Sequence, residues 1–398
     1  MIINVMIQLS PHQTHCLNLT ENRSRAAYFL DMGLGKTFIA SEKARKLGSP
    51  ILVICQKSKI ADWQTHFKDH YELPVTVINY DSVWRRSEFL EWQGYTLIVD
   101  ESSLIKNEAA KRTKFILALQ PSSVILLSGT PTGGKYEELW TQCRLLQWKI
   151  SKKLFYDHFI VTETIDVGGM PVVKVVGYKN VERLKQKLRQ YGAVFMKSEE
   201  VIDLPEQVDI VTTVAPTKAY RRFKRDKMIR TEQKELIGDT PLKQLLYERQ
   251  LCGQYSQYKR EALKDLLQST QSRIVIFYNF TAEYELIRSL TERPISYING
   301  QGTDLENYRS CPNSITLVQY QAGAMGHNLE LANIAVYFTL PLSSELFEQS
   351  QKRIHRIGQT KACFYYYLIT QNSVEGKILT VLKERRDYTE ALFRKEEH

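Results

Sequence analysis

The stretch Asp31-Met32-Gly33-Leu34-Gly35-Lys36-Thr37 follows a short apolar run, Ala26 to Leu30, and opens an amphipathic one, Lys36 to Leu47. Glycines at 33 and 35 let backbone N–H groups converge on an anion, because a Cβ there would crowd the approach. Lys36 supplies charge to the β and γ phosphates of a nucleotide, and Thr37 a hydroxyl to Mg2+. The helix expected from Lys36 aims its N-terminal dipole at the same anion. Strand, glycine loop and helix in this order predict a phosphate-binding loop, although the strict pattern has glycine where this chain has Leu30.

Outward from that loop, short apolar runs recur at Ile51 to Cys55, Val75 to Ile78, Tyr95 to Val99 and Val124 to Leu127, with a helical stretch such as Lys111 to Leu119 between them. Continuous apolar strands alternating with helices predict a parallel sheet covered on both faces. The middle of the chain differs. Phe159 to Tyr178 alternates around Gly168-Gly169 and reads as a β-hairpin, followed by helical segments at Val181 to Gln190, Thr217 to Leu236 and Leu242 to Leu251. Alternation then resumes with strands expected at Ile274 to Phe277, Ile295 to Ile298, Ile315 to Gln319 and Ile334 to Phe338. Helices are expected at Thr281 to Leu290, Leu346 to His355 and Val374 to Phe393. The fold class expected is α/β, two tandem domains with parallel sheets flanked by helices. The first spans 1–200, with a short helical and hairpin elaboration from about 145, and the second spans 201–398.

Composition narrows the function. The 398 residues carry a net charge of +10, which favours a polyanionic partner. The six cysteines are scattered without a C-x-x-C pair and read as buried thiols of a reducing compartment. His66 and His70 stand four apart but lack the intervening glutamate and a third ligand nearby, so they read as an exposed surface pair. No apolar run reaches the ~18 residues of a membrane helix, and Met1 to Ser10 lacks the pattern of a signal peptide. A cytoplasmic location, bacterial or in a host cell, is the expectation, with no membrane partner.

Three further stretches carry chemistry. Asp100-Glu101 closes an apolar strand; near the glycine loop, Asp100 would hold Mg2+ and Glu101 would orient and deprotonate an attacking water. Ser128-Gly129-Thr130-Pro131 closes another. Ser128 lacks both the G-x-S-x-G elbow and a histidine partner, so this turn reads as a sensor of nucleotide state. Near the far end, Gln349-Ser350-Gln351-Lys352-Arg353-Ile354-His355-Arg356-Ile357-Gly358-Gln359 places Arg353 and Arg356 three apart on the expected helix, hence on one face. Guanidinium groups so placed stabilise charge on a transferring phosphoryl group, an effect on the order of 10³–10⁵ in rate. Loop and arginines lie in different domains, so both domains are expected to act on one nucleotide.

Together these stretches resemble the Swi/Snf-like ATPases of helicase superfamily 2, DEAD/DEAH-related motors. Leu9-Ser10-Pro11-His12-Gln13 resembles their adenine-reading Q motif, with Gln13 as reader. Asp31 to Thr37 matches motif I, Leu52-Val53-Ile54-Cys55-Gln56-Lys57-Ser58 resembles Ia, and Asp100-Glu101-Ser102-Ser103-Leu104-Ile105-Lys106-Asn107 resembles II. SGTP with Glu138-Leu139-Trp140 resembles motif III, Ile276-Phe277 motif IV, Ala322 to Leu329 motif V, and Arg353 to Gln359 motif VI. The likeness runs from about Leu9 to Lys383.

The resemblance implies two RecA-like lobes that hold ATP and Mg2+ and run along double-stranded or branched DNA by sequence-independent backbone contacts. It implies nucleotide binding by Gln13, Gly33, Leu34, Gly35, Lys36, Thr37, Asp100, Gly326 and Asn328, with Mg2+ on Thr37 and Asp100. Catalysis is carried over to Lys36, Glu101, Arg353 and Arg356, DNA contact to Lys57, Ser58, Gln321 and Gly323, and coupling to Thr130 and Gln349. The output expected is displacement of proteins from DNA or remodelling of forks and branched DNA in replication, recombination or repair. A strand-separating DNA or RNA helicase and a nucleotide-gated clamp without turnover are the alternatives. Departures from the family pattern fall on coupling: Gln56 stands for proline, Ser102-Ser103 for Gly-His or Ala-His, and Ala324-Met325 for Gly-Leu. No bromodomain, SANT-like or zinc module is readable, so a bare motor of the phage or bacterial kind is expected rather than a nucleosome remodeller.

Overall fold

The computed structural model describes residues 8–71, 73–231, 235–323 and 327–393. The chain divides into two compact units, one running to Ile202 and taking up the chain again at Arg385, the other Asp203–Glu384. Among the described residues, no helix is long and apolar enough to cross a membrane.

The first unit is built on a parallel sheet of six strands: β1 (Arg25–Leu30), β2 (Ile51–Cys55), β3 (Val75–Asn79), β4 (Thr96–Asp100), β5 (Ser123–Ser128) and, after a hairpin, β8 (Ala193–Met196). Their order is β3-β2-β4-β5-β1-β8. Ala27, Phe29, Leu52, Ile54, Leu97, Val99, Val124 and Leu126 bury on one face. Tyr28, Leu30, Val53, Ile98, Ile125 and Leu127 bury on the other, against Ile39, Trp63 and Phe67. Burial on both faces is why these strands read as unbroken apolar runs. Parallel register then places the carboxyl ends together: Phe29 pairs with Ser128, and Asp100 with Leu127. The turns after β1, β4 and β5 therefore lie side by side, on the edge where such sheets take ligands.

The hairpin joins β6 (Ile160–Val167) and β7 (Met170–Tyr178) across Gly168 and Gly169, both at positive φ (65° and 85°) as a tight turn requires. Its base is fixed to the segment following SGTP: the Tyr178 ring stacks on Tyr136 at 4.3 Å, and its hydroxyl donates to Glu137 (2.9 Å).

The second unit holds β9 (Gln207–Val214), β12 (Ile274–Tyr278), β13 (Ile295–Asn299), β14 (Gly302–Asp304), β15 (Ile315–Gln319), β16 (Ile334–Tyr337) and β17 (Cys363–Thr370), ordered β14-β13-β15-β12-β16-β17-β9. All neighbours are parallel except β13 and β14. Two RecA-like α/β units result.

Two helices differ from expectation. The segment expected to be helical from Thr217 to Leu236 is a helix only over Lys218–Asp226; Lys227 takes a left-handed conformation (φ 58°), and β10 (Met228–Arg230) pairs with β11 (Glu235–Ile237). Buried Ile229 and Leu236 sit one on each strand, a strand pattern hidden in a charged stretch. The helix expected over Leu346 to His355 is Ser344–Gln351, capped by the Ser343 hydroxyl accepting from the Leu346 N–H. His66 also departs from an exposed pair: it is half-buried, bonded to the Ser41 hydroxyl at 3.1 Å, and burial lowers its pKa to about 4. Cys16, Cys55, Cys143, Cys252 and Cys363 are buried free thiols, and Cys311 is half-buried.

One buried carboxyl gives the second unit a pH dependence. Glu283 Oε2 accepts from the N–H groups of Asn279 (2.9 Å) and Phe280 (3.1 Å) and from the Thr339 hydroxyl (2.8 Å). Its Oε1 is buried with no hydrogen-bond partner among the described residues. Burial, opposed by those bonds, raises the carboxyl from its ordinary 4.5 to about 7. Between these values the folded chain holds a proton that the unfolded chain has released. Stability therefore falls as pH rises through that window, by at most about 1.4 kcal/mol per pH unit. Urea midpoints are expected to drop between pH 5.5 and 7.5, with a smaller drop in Glu283→Gln, which keeps the neutral form at both values.

Candidate active site: a phosphate loop and an arginine turn

The loop after β1 has the geometry of an anion cradle. Gly33 and Gly35 sit at φ 91° and 72°, where a side chain is strained, and a Cβ at Gly35 would overlap the Gln13 amide. Gly35 caps the helix Lys36–Leu47, so the N-terminus of twelve ordered residues faces the loop. Lys36 Nζ donates to the carbonyls of Leu30 (2.8 Å) and Asp31 (3.2 Å), which hold the ammonium over the loop. Gln13, on the helix Pro11–Leu19, receives the Ser10 N–H on Oε1 (2.9 Å) and donates to the Leu34 carbonyl (3.4 Å). The adenine reader proposed from sequence thus rests on the phosphate loop itself. Leu34 has its side chain in the core, and its carbonyl is also bonded by His12 Nε2 at 3.1 Å. Asp31 turns inward instead, accepting from the Ser198 N–H (3.0 Å) beside β8.

Asp100, at the end of β4, accepts from the indole N–H of buried Trp63 at 2.8 Å. Burial raises its carboxyl, while that bond and the charge of Lys36 pull it down. Tyr80, itself buried, donates to the Asp100 carbonyl at 2.6 Å and fixes the backbone from below. Glu101 then takes a left-handed conformation, φ 56° and ψ 60°. For a residue with a side chain this costs on the order of 1–3 kcal/mol and persists only when neighbours hold it. The Ser128 hydroxyl donates to Glu101 Oε1 (3.2 Å) and accepts from the Thr130 N–H (3.1 Å), joining Glu101 to SGTP. Thr130 Oγ1 is buried with no hydrogen-bond partner among the described residues. These groups suit a nucleotide with its metal: a glycine cradle, a fixed lysine, the Thr37 hydroxyl in the first helical turn, and a carboxylate, the oxygen donors that hard cations prefer. Thr37 and Asp100 are the residues that would hold Mg2+.

In the second unit the arginines are not on a helix. The helix ends at Gln351, and Arg353 to Gln359 form a compact turn. Local periodicity suggested a helix, but long-range bonds decide the shape. The Leu329 N–H donates to the Arg353 carbonyl (3.1 Å), and His355 bonds the Pro205 carbonyl (2.8 Å). Gln359 acts as the clamp. Its Nε2 reaches the carbonyls of Glu330 (3.0 Å), Ala332 (2.8 Å) and Ile354 (3.1 Å), and its Oε1 accepts from the N–H groups of Thr360 and Lys361. Arg353 is buried. Arg356 is half-buried, with its pKa lowered by burial and raised by Glu330, and it remains a cation. Gln349 is buried on the preceding helix with Oε1 unbonded among the described residues.

Lys57 and Ser58 are exposed on a short turn after β2, at the same sheet edge as the phosphate loop. Gln321 is exposed, and Gly323 ends the turn Tyr320–Gly323 after β15. Asn328 is exposed, whereas Gly326 lies outside the described residues. Sequence reasoning missed the Trp63 bond to Asp100 and a buried contact of Ser102 with Gln142, since both join distant positions with no local signature.

Two tandem RecA-like units, one with a phosphate loop and an acidic pair, the other with an arginine turn, define a helicase-type ATPase. A family model of the SNF2-related domain matches residues 72–257, and one of the helicase conserved C-terminal domain matches 258–358. The chain belongs to the Swi/Snf-like ATPases of helicase superfamily 2. It is 22% identical to a putative ATP-dependent helicase/translocase, YwqA, of Bacillus subtilis, over 98% of this chain and 49% of that protein. It is 26% identical to SWI/SNF-related matrix-associated actin-dependent regulator of chromatin subfamily A-like protein 1 of Drosophila melanogaster, over 96% of this chain and 55% of that one. The chain thus spans about half the length of the curated relatives it matches. A solved structure, the Sulfolobus solfataricus SWI2/SNF2 ATPase core in complex with dsDNA, is similar at 20% identity and TM-score 0.46, covering 96% of this chain and 92% of that one.

Because Gln359 alone satisfies three carbonyls and two N–H groups, Gln359→Ala is expected to lower stability by about 2 kcal/mol or more, read as a fall in the urea midpoint of the second unit's transition.

Proposed function

We propose that the chain is an ATP-driven translocase on double-stranded DNA, which displaces bound proteins or remodels forks and branched DNA in replication, recombination or repair. The observation that carries this reading is the register of β1, β5 and β4, which sets Lys36, Thr37, Asp100, Glu101 and Ser128 along one sheet edge. Lys36 and the N–H groups around Gly33 and Gly35 bind the phosphates. Glu101, held by Ser128, orients water and takes its proton; Arg353 and Arg356 carry the positive charge needed on the transferring phosphoryl group. Mg2+, when bound, neutralises charge on the β and γ phosphates.

Support for a nucleic-acid partner is the net charge of +10 and the exposed Lys57 and Ser58 on the nucleotide edge. Phosphate contacts of this kind position without reading sequence. The relatives named as helicases, translocases and chromatin regulators support the same reading. Strand separation is the second reading, favoured by the hairpin, whose Met170 and Val173 are 69% and 68% exposed. Apolar side chains on an exposed ribbon are suited to wedging between bases. Release of a strand from a forked duplex, with no release of protein from an intact one, would favour it. The presence of Lys36, Thr37, Asp100, Glu101, Arg353 and Arg356 in the sequence argues against a clamp without turnover.

Lys36→Ala is expected to abolish ATP binding. Glu101→Gln keeps binding but lowers turnover by about 10²–10⁴-fold, and Arg356→Ala lowers it by about 10³–10⁵-fold; normal turnover in any of them would contradict the assignments. DNA affinity should fall linearly on a log–log plot against salt, and Lys57→Ala should reduce the slope by about 1.

A further inference from the structure

Two turns flank the acidic pair, and they are tied together twice. The first tie runs through Glu101 itself: Ser128 Oγ to Glu101 Oε1, with the Thr130 N–H on the same Ser128 oxygen. The second lies behind it. The Ser102 hydroxyl donates to Gln142 Oε1 at 2.8 Å, and Gln142 Nε2 donates to the Pro131 carbonyl at 2.7 Å. Ser102 and Gln142 are both fully buried. Gln142 lies on the helix Leu139–Leu145, so one amide, anchored on a helix, holds a turn with each of its two ends.

The residue between these ties is the strained one. Glu101 is at φ 56°, and its carbonyl accepts from the Leu104 N–H (3.0 Å) as the short turn Ser102–Ile105 begins. Ser102 is therefore the first anchored position after a left-handed catalytic residue. A buried glutamine in a core commonly does no more than satisfy itself. Here its two bonds go to two different turns, at the ends of adjacent parallel strands β4 and β5, and both turns contact the same carboxylate system. Apolar side chains at 102 and 142 would bury no polar group and leave only the Pro131 carbonyl to account for. A buried polar bridge at this position fixes geometry, since it restricts the two turns to one relative arrangement.

We infer that Gln142 is a positioning residue for Glu101, acting through Ser102 and Pro131 to lock the acidic turn against SGTP. The inference rests on the reading of Glu101 as the water-orienting base. The site departs from the family pattern at this point, Ser102-Ser103 standing in motif II where Gly-His or Ala-His is usual. The Ser102–Gln142 bridge makes a link between the two turns with the residues present.

The test uses Ser102→Ala, Gln142→Leu and the double variant in the full chain. Each single variant is expected to lower kcat for ATP by about 10–100-fold, the size of effect that sub-ångström to 1 Å misplacement of a reacting group produces. KM for ATP should change little, because the phosphate loop is untouched, whereas the urea midpoint should fall in each single variant, because each leaves a buried polar group unpaired. The double variant should be no slower than Gln142→Leu, since both changes remove one bridge. Amide hydrogen exchange gives a readout independent of turnover: the Leu104 N–H, bonded to the Glu101 carbonyl, should exchange faster in Gln142→Leu, while amides of β2 keep their protection. Unchanged Leu104 exchange overturns the inference, as does a wild-type kcat in both single variants or a double variant slowed by the product of the two effects. A wild-type chain with no ATP turnover overturns the functional reading instead, and exchange at Leu104 then decides the positioning role by itself.

Discussion

Parallel pairing of β1, β5 and β4 is the constraint on which the first unit's chemistry depends. A slip of one residue would exchange the side chains packed on the two buried faces, Ala27, Phe29, Val99 and Leu126 for Tyr28, Leu30, Ile98 and Leu127, and their different shapes hold the register. Once Phe29 pairs with Ser128 and Leu127 with Asp100, three turns must end at one level. Phosphate loop, acidic pair and SGTP are then neighbours without any dedicated contact having to bring them together. What remains for side chains is fine adjustment. Trp63 steadies Asp100, Ser128 steadies Glu101, and Gln142 fixes the turns from behind.

The second unit solves a different problem. Its arginines sit on a turn with little regular structure, so the turn must be held by bonds from outside. Gln359, the backbone of Leu329 and the carbonyl of Pro205 supply them. A guanidinium in a half-buried setting loses hydration and interacts more strongly with an incoming anion than a solvated one. Burial is therefore part of what makes Arg353 and Arg356 suited to phosphate. The same low-dielectric interior shows its cost at Glu283, where burial outweighs three hydrogen bonds and raises the carboxyl to about 7.

Much of this was legible in the sequence where local rules decide. The helix Lys36–Leu47 was readable because Gly35 and Gly48 stop it at both ends, each left-handed. The hairpin was readable from Gly168-Gly169 between alternating strands. Most strands of the two sheets announced themselves as apolar runs, but β8, β9, β14 and β17 went unread, β9 and β17 pairing over eight residues at the far edge of the second sheet. The arginine turn was misread as helix because the periodicity of Ser344–Gln351 runs on into it, while the bonds that stop the helix come from distant residues. Ser102 and Gln142, forty positions apart, could be joined only by the fold. The motifs of the candidate site were thus legible as local patterns, and the contacts that hold those segments in place were not.

A motor and a nucleotide-gated clamp share every residue named above and differ only in whether hydrolysis is tied to movement along the duplex. Steady-state ATP hydrolysis measured on a series of DNA duplexes of increasing length, at saturating duplex ends, separates them most directly. Turnover that is low without DNA and climbs with duplex length to a plateau is the result expected of a translocating ATPase. Turnover indifferent to duplex DNA, or stimulated equally at every length, would contradict it.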